Sequence, residues 1–159
     1  MILEDIPRVH EIDQLSFSLP WPEKSFRFEL TENPTTIALV VEIVPINSDA
    51  LVIGMSVVWL IVDEAHIATI AVHPDYRGHG YGRSLLAESL RQSIQRGAQL
   101  ATLEVRVGNL TALQLYRAFG FTIVGQRLQY YRDNNEDATI MTVKNLGVGY
   151  LAWLNEVAH

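Results

Sequence analysis

Apolar positions along this chain change between a period of about 3.6 residues and a period of 2, and each change marks a new element. Ile6, Val9, Ile12 and Leu15 form one stripe, which predicts a first helix over residues 4–18. Pro20-Trp21-Pro22 breaks it. Phe26 and Leu30 then share a face of a second helix over residues 23–31, closed by Asn33-Pro34. Runs rich in Val and Ile follow at residues 35–44, 51–62 and 66–72. A polar loop at 45–50 and the Asp63-Glu64 turn join them, which predicts an antiparallel meander of three strands.

The helical period returns over residues 80–96, with Leu85, Leu86 and Leu90 on the buried side and Gly97 as C-terminal cap. Residues 101–107, ATLEVRV, read as a strand. Asn109 is placed to cap a helix over 110–119 that Gly120 closes. The last paired strands are read at 121–124 and 138–143, with a polar loop at 130–137 between their ends. Residues 146–159 form a short amphipathic tail. No repeat, linker or low-complexity stretch interrupts this order, so residues 1–145 are read as one α+β domain and 146–159 as a C-terminal tail without an assigned role.

The densest chemical signal is the turn between the third strand and the long helix, Arg77-Gly78-His79-Gly80-Tyr81-Gly82-Arg83. Glycines at alternate positions let the backbone turn sharply and aim successive N–H groups to one side. The following helix brings its positive end to the same place, so the turn suits a phosphate or pyrophosphate. The spacing is G-x-G-x-G rather than the dinucleotide fingerprint G-x-G-x-x-G, and no acidic residue follows at the distance of a ribose partner. Gly82 is followed by Arg83-Ser84 with no lysine, which excludes a P-loop.

Composition narrows the classes further. The chain has 159 residues, 48% apolar and 19% charged, as expected for an ordinary globular domain. It has no cysteine, so disulfides, thiolate metal sites and cysteine nucleophiles are excluded. A formal charge of −6 argues against a nucleic-acid surface and permits a basic acceptor. The N-terminus lacks a basic segment followed by an apolar core, and the longest apolar run, 51–62, is too short for a bilayer, so a cytoplasmic location and no membrane partner are expected. His73 and His79 give H-x-D-x-x-x-H, but this lies within the phosphate turn, while His10, His66 and His159 are scattered; no metal site is read.

R-x-x-G-x-G from Arg77 to Gly82 resembles the pyrophosphate loop of the GCN5-related N-acetyltransferase (GNAT) superfamily. Four further segments resemble the bacterial ribosomal-protein-alanine N-acetyltransferases in the right order: LPWPEKSF at 19–26, LEVRVGN at 103–109, ALQLYRAFGF at 112–121 and YYRDNNEDATIM at 130–141. The resemblance implies the acetyltransferase fold, a mixed and mostly antiparallel sheet flanked by helices, with a splayed parallel strand pair that holds acetyl-CoA. The family's first strand is missing from the expected order.

The same resemblance implies the site. Glu104, on the Thr102–Glu104–Arg106 side of its strand, aligns with the general base; its plainer reading is a solvated glutamate paired with Arg106 or a neighbour. Tyr116 matches the tyrosine that protonates the departing thiolate, and reads otherwise as a core aromatic. Ile70, Ala71 and Val72 would pair with the pantetheine arm as an added strand. Gly78, His79, Gly80, Tyr81 and Gly82 would hold the pyrophosphate, Arg77 and Arg83 would add charge, and Asn109 would touch the cofactor as well as cap its helix. Trp21, Tyr130 and Tyr131 would line the acceptor pocket, or simply pack.

The reaction implied is direct attack, in a ternary complex, of a protein N-terminal amine on acetyl-CoA, with the alanine terminus of a small-subunit ribosomal protein as acceptor. An α-amine is mostly ammonium at neutral pH and needs a base, while a backbone N–H near Val72 would stabilise the carbonyl oxygen. Two alternatives stay open: the same chemistry on protein lysine or a small amine, which would survive loss of Trp21 and Tyr131, and a non-catalytic acyl-CoA-binding module. Oligomeric state is not legible in the sequence.

Overall fold

Ile6, Val9 and Ile12 are fully buried on one side of the first long helix, and this stripe seats the helix on the sheet. The computed structural model describes residues 1–157. A 3-10 turn, Leu3–Asp5, leads into α1 (Ile6–Ser16), followed by α2 (Glu23–Thr31). The fourth member of the expected stripe departs from it. Leu15 is 51% exposed, and Asp13, with no exposed surface, takes the buried place one turn after Val9.

The meander is β1 (Thr36–Ile43), β2 (Leu51–Ile61) and β3 (Glu64–Val72). Then come α3 (Tyr81–Gln95), β4 (Leu100–Arg106), α4 (Leu110–Ala118), β5 (Thr122–Tyr131), β6 (Glu136–Lys144) and α5 (Val148–Val157). The six strands form one sheet in the order β1-β2-β3-β4-β6-β5. β3 and β4 run parallel and the other neighbouring pairs antiparallel. This is the GNAT fold, a mixed sheet with helices on both faces. Leu86, Leu90, Phe119 and Leu154 pack with Ala65, Ile67, Leu103 and Met141 on one face. Ile6, Val9, Ile12 and Phe26 pack with Met55, Val57 and Ala71 on the other.

Two departures from the sequence reading concern the C-terminal part. β5 runs on to Tyr131 and β6 begins at Glu136, so half of the expected polar loop is strand, with a tight turn at 132–135. β5 is the outermost strand and is exposed at almost every position, which erases the alternation that would announce it. A register break between Arg127 and Tyr131, with Gln129 at φ 50°, masks it further. The C-terminal segment is built into the core: Leu146 and Leu154 are buried beside Phe119, and the Tyr150 hydroxyl donates to the Phe119 carbonyl at 2.6 Å. His159 lies outside the described residues. No helix among those described is long and apolar enough to cross a membrane.

What positions the site is the parting of the parallel pair. β3 and β4 are bonded only from Glu64 to His66 against Leu100 to Thr102. Just beyond, Val57 faces Thr69 while Val58 faces Ile67, which leaves Ala68 as an extra residue on β3. Such a bulge bends the strand and re-aims its side chains. At the other end of the opening, Gly54 allows β2 to close on its neighbours: a Cβ there would lie 2.9 Å from Val41 Cγ1 and 3.0 Å from the Ala71 carbonyl.

Candidate active site

The parted strands leave a cleft of about 350 Å³. Ile67 to Ile70 of β3 and Leu103 to Arg106 of β4 line it, together with Asn109, Ala112, Tyr116, Trp21 and Tyr131. Expected residues from five separate segments therefore meet in one place.

The cofactor side is largely main chain. Ile70, Ala71 and Val72 pair with Ser56, Met55 and Gly54 of β2, while on the β4 side the ladder has already ended. That edge offers free peptide groups of the kind an amide-rich arm can pair with. Gly78 and Gly80 have φ of 80° and 85°, the left-handed region where a side chain is strained. Gly80 caps α3, whose first-turn N–H groups open beside Tyr81, Gly82 and Arg83. This cradle fits a pyrophosphate.

The arginines and histidines of the loop have protein partners. Arg77 donates from Nε to the Val72 carbonyl at 2.9 Å and from Nη2 to Ser16 Oγ at 3.0 Å, tying the loop to the end of α1. Arg83 turns to the C-terminal helix: its Nε donates to the Val157 carbonyl at 2.9 Å, and its guanidinium lies 5.2 Å over the Phe119 ring. His73 Nδ1 accepts the Asp75 N–H, and His79 Nδ1 sits 2.9 Å from the Arg77 carbonyl. Asn109 Oδ1 accepts the Ala112 N–H, as its capping place requires, and also lines the cleft.

Glu104 and Tyr116, the expected base and proton donor, both line the cleft. The Glu104 side chain is 15% exposed, and its carboxylate is held by groups other than the expected Arg106. His66 Nε2 lies 3.3 Å from Oε2, and Arg127 Nε donates to Oε1 at 3.2 Å. Tyr116 is buried, tilted against Phe121, and burial pushes its hydroxyl well above the ordinary tyrosine range, with Tyr131 adding to the shift. It stays protonated at neutral pH and can donate.

Arg106 organises the acceptor side. It meets Asp133 at 3.0 Å and Glu136 at 3.3 Å, donates to Ser18 Oγ at 3.1 Å, and lies 3.9 Å over the Tyr131 ring. One guanidinium thus joins the α1–α2 loop to the β5–β6 hairpin. Ser18 donates to Asp133, and this bond, with Arg106, holds the Asp133 carboxyl below the usual range. The Gly108 N–H does the same, first among several groups, for Glu136. Burial lifts Tyr131 to about 12 against the pull of Arg106. Asp13 accepts the Trp21 N–H at 2.6 Å and is raised by burial despite that bond. Trp21 stacks on Trp59 and leans on Phe26. Tyr130 is 47% exposed, meets Tyr131 edge-on and does not line the cleft.

Sequence reasoning passed over His66, Arg127, Asp13 and the Ser18–Arg106–Asp133 link. Each is an ordinary polar residue, and all but Asp13, which meets Trp21 eight positions on, have partners far along the chain. Only the alternation of β4, which puts Arg106 on the same face as Glu104, hinted that Arg106 belongs to the site.

The sequence profile described as the acetyltransferase (GNAT) family matches residues 6–121. The chain is 42% identical over 143 residues to a Bacillus subtilis (strain 168) protein provisionally named a ribosomal protein bS18-alanine N-acetyltransferase, covering 90% of this chain and 91% of that one. It is 33% identical over 141 residues to the Escherichia coli (strain K12) protein of that name, covering 87% and 90%. Its structure is similar to the crystal structure of the ribosomal-protein-S18-alanine N-acetyltransferase from Escherichia coli, with TM-score 0.78, 31% identity and coverage of 91% and 90%.

Proposed function

The chain belongs to the acetyltransferase (GNAT) family, and from that premise we propose that it moves the acetyl group of acetyl-CoA to the N-terminal α-amine of a protein. The acceptor we infer is the alanine terminus of a small-subunit ribosomal protein, the substrate class in its relatives' names. That acceptor implies a cytoplasmic location. The observation that carries the reading is the meeting of Glu104 and Tyr116 across one cleft, where β3 and β4 part.

Acetyl-CoA supplies the reactive thioester. Ile70, Ala71 and Val72 hold its arm by main-chain groups, and the loop from Gly78 to Gly82 holds the pyrophosphate at the head of α3. Arg77 shapes that loop from behind. Asn109 fixes the start of α4 and borders the cofactor's path. The amine enters between Trp21 and Tyr131, and alignment of nitrogen with carbonyl supplies much of the acceleration. Glu104 takes a proton from the amine, directly or through a water, as the C–N bond forms. A β3 N–H near Val72 meets the charge that develops on oxygen. The C–S bond breaks, and Tyr116 gives its proton to the sulfur.

Labelled acetyl-CoA and a set of peptides test this directly. Label should pass to a peptide with a free N-terminal alanine and no lysine, and not to the same peptide with a blocked terminus. Transfer to a lysine of the blocked peptide at a comparable rate would overturn the assignment.

A further inference from the structure

We propose, on the reading that Glu104 takes the amine's proton, that His66 is a positioning residue that fixes the direction of the Glu104 carboxylate. A glutamate's last torsion is broad, so an untethered carboxylate samples many directions. Here both oxygens are engaged, Oε2 by His66 at 3.3 Å and Oε1 by Arg127 at 3.2 Å. The two holds are unequal. Arg127 is 53% exposed at its side chain and works against solvent, whereas His66 is 22% exposed.

The place of His66 makes it a firm support. It is the last β3 residue paired with β4, in register with Thr102, so it sits where the strands begin to part. Its ring stacks on Trp59 at 5.6 Å with the planes 17° apart, and Trp59 stacks on Trp21 at 6.0 Å. A continuous wall therefore runs from the acceptor loop to the carboxylate: Trp21, Trp59, His66, Glu104.

Two variants separate the roles. His66→Phe keeps a ring on Trp59 and removes the nitrogen that meets Glu104; His66→Gln keeps a donor and removes the ring. Steady-state rates on an N-terminal alanine peptide should show His66→Phe losing about tenfold in kcat with the KM for acetyl-CoA unchanged. His66→Gln should recover most of that loss. A role in packing alone predicts the reverse order, with His66→Phe near wild type and His66→Gln impaired. The proposal is overturned by that reverse order, or by an unchanged kcat in folded His66→Phe. Glu104→Gln, assayed alongside, keeps the two readings apart: full turnover there removes the base itself, whereas its loss with unaltered His66 variants removes only the positioning role.

Discussion

The two walls of the cleft are made of different materials. The cofactor wall is a sheet edge, a glycine turn and a helix N-terminus, all contributed by one run from Ile70 to Arg83. The acceptor wall is a mesh of side chains from α1, the α1–α2 loop, β2, β3, β4 and the β5–β6 hairpin, held by charge and stacking. A main-chain cradle keeps its function through most substitutions, since peptide groups are common to all residues, and fails only where the backbone shape is lost. A side-chain mesh fails wherever one member goes.

The strongest way to break this contrast is at Glu104, the acceptor-side group that no main-chain atom can replace. Glu104→Gln keeps size and one acceptor oxygen but cannot take a proton, and should lose about 10²–10⁴-fold in kcat while acetyl-CoA still binds, as measured by calorimetry. Retained turnover would mean that the cleft aligns substrates without a base. Next in size is the glycine cradle itself. Gly80→Val forces a β-branched residue to φ 85°, a conformation costing about 1–2 kcal/mol, with open space around it. Acetyl-CoA affinity should fall roughly tenfold with little change in peptide KM. If peptide KM moves equally, the walls are not independent.

A smaller effect is expected at Arg106, which sharpens the contrast from the other side. Arg106→Gln frees Ser18, Asp133 and Glu136 together, so peptide KM should rise several-fold with acetyl-CoA KM unaltered. The same link has a pH signature. Asp133 and Glu136 are held below their ordinary range in the folded protein, so they stabilise it above the usual carboxylate values. That stabilisation is lost as pH falls through the lowered values. Acid titration followed by hairpin fluorescence should therefore show the wild type loosening at low pH, and Arg106→Gln at higher pH.

How much of this was legible in the sequence follows from the same contrast. The cradle was readable because its determinants lie side by side: two glycines at positive φ and the cap of α3 occupy adjacent positions. Glu104 and Tyr116 were readable through the resemblance of their flanking residues. Their supports were not, because contact is made across the sheet: Arg127 lies 23 positions from Glu104, and Ser18 lies 88 from Arg106 and 115 from Asp133. Hydrophobic periodicity registers burial, and the mesh is half-buried and polar. β5 shows this most clearly, an exposed edge strand whose Arg127 reaches the Glu104 carboxylate from beyond the 121–124 stretch in which the pattern announced a strand.

Arg83 gives the smallest effect and the cleanest discrimination. Its position directly after Gly82 suggests a cation for the pyrophosphate, yet its Nε is bonded to the Val157 carbonyl and its plane faces Phe119. If charge on that side chain served the cofactor, Arg83→Gln would weaken acetyl-CoA binding substantially. The geometry predicts the opposite: affinity within about twofold of wild type, because the cradle's donors are peptide N–H groups. The loss should appear in stability, since α5 is fastened to the core by Leu154, the Tyr150 hydroxyl and this arginine. A deficit of about 1 kcal/mol corresponds to about 2–4 °C in Tm for a chain of this size. Lowered Tm with intact affinity assigns Arg83 to the helix clasp; intact Tm with weakened affinity returns it to the cofactor wall and makes that wall depend on a side chain after all.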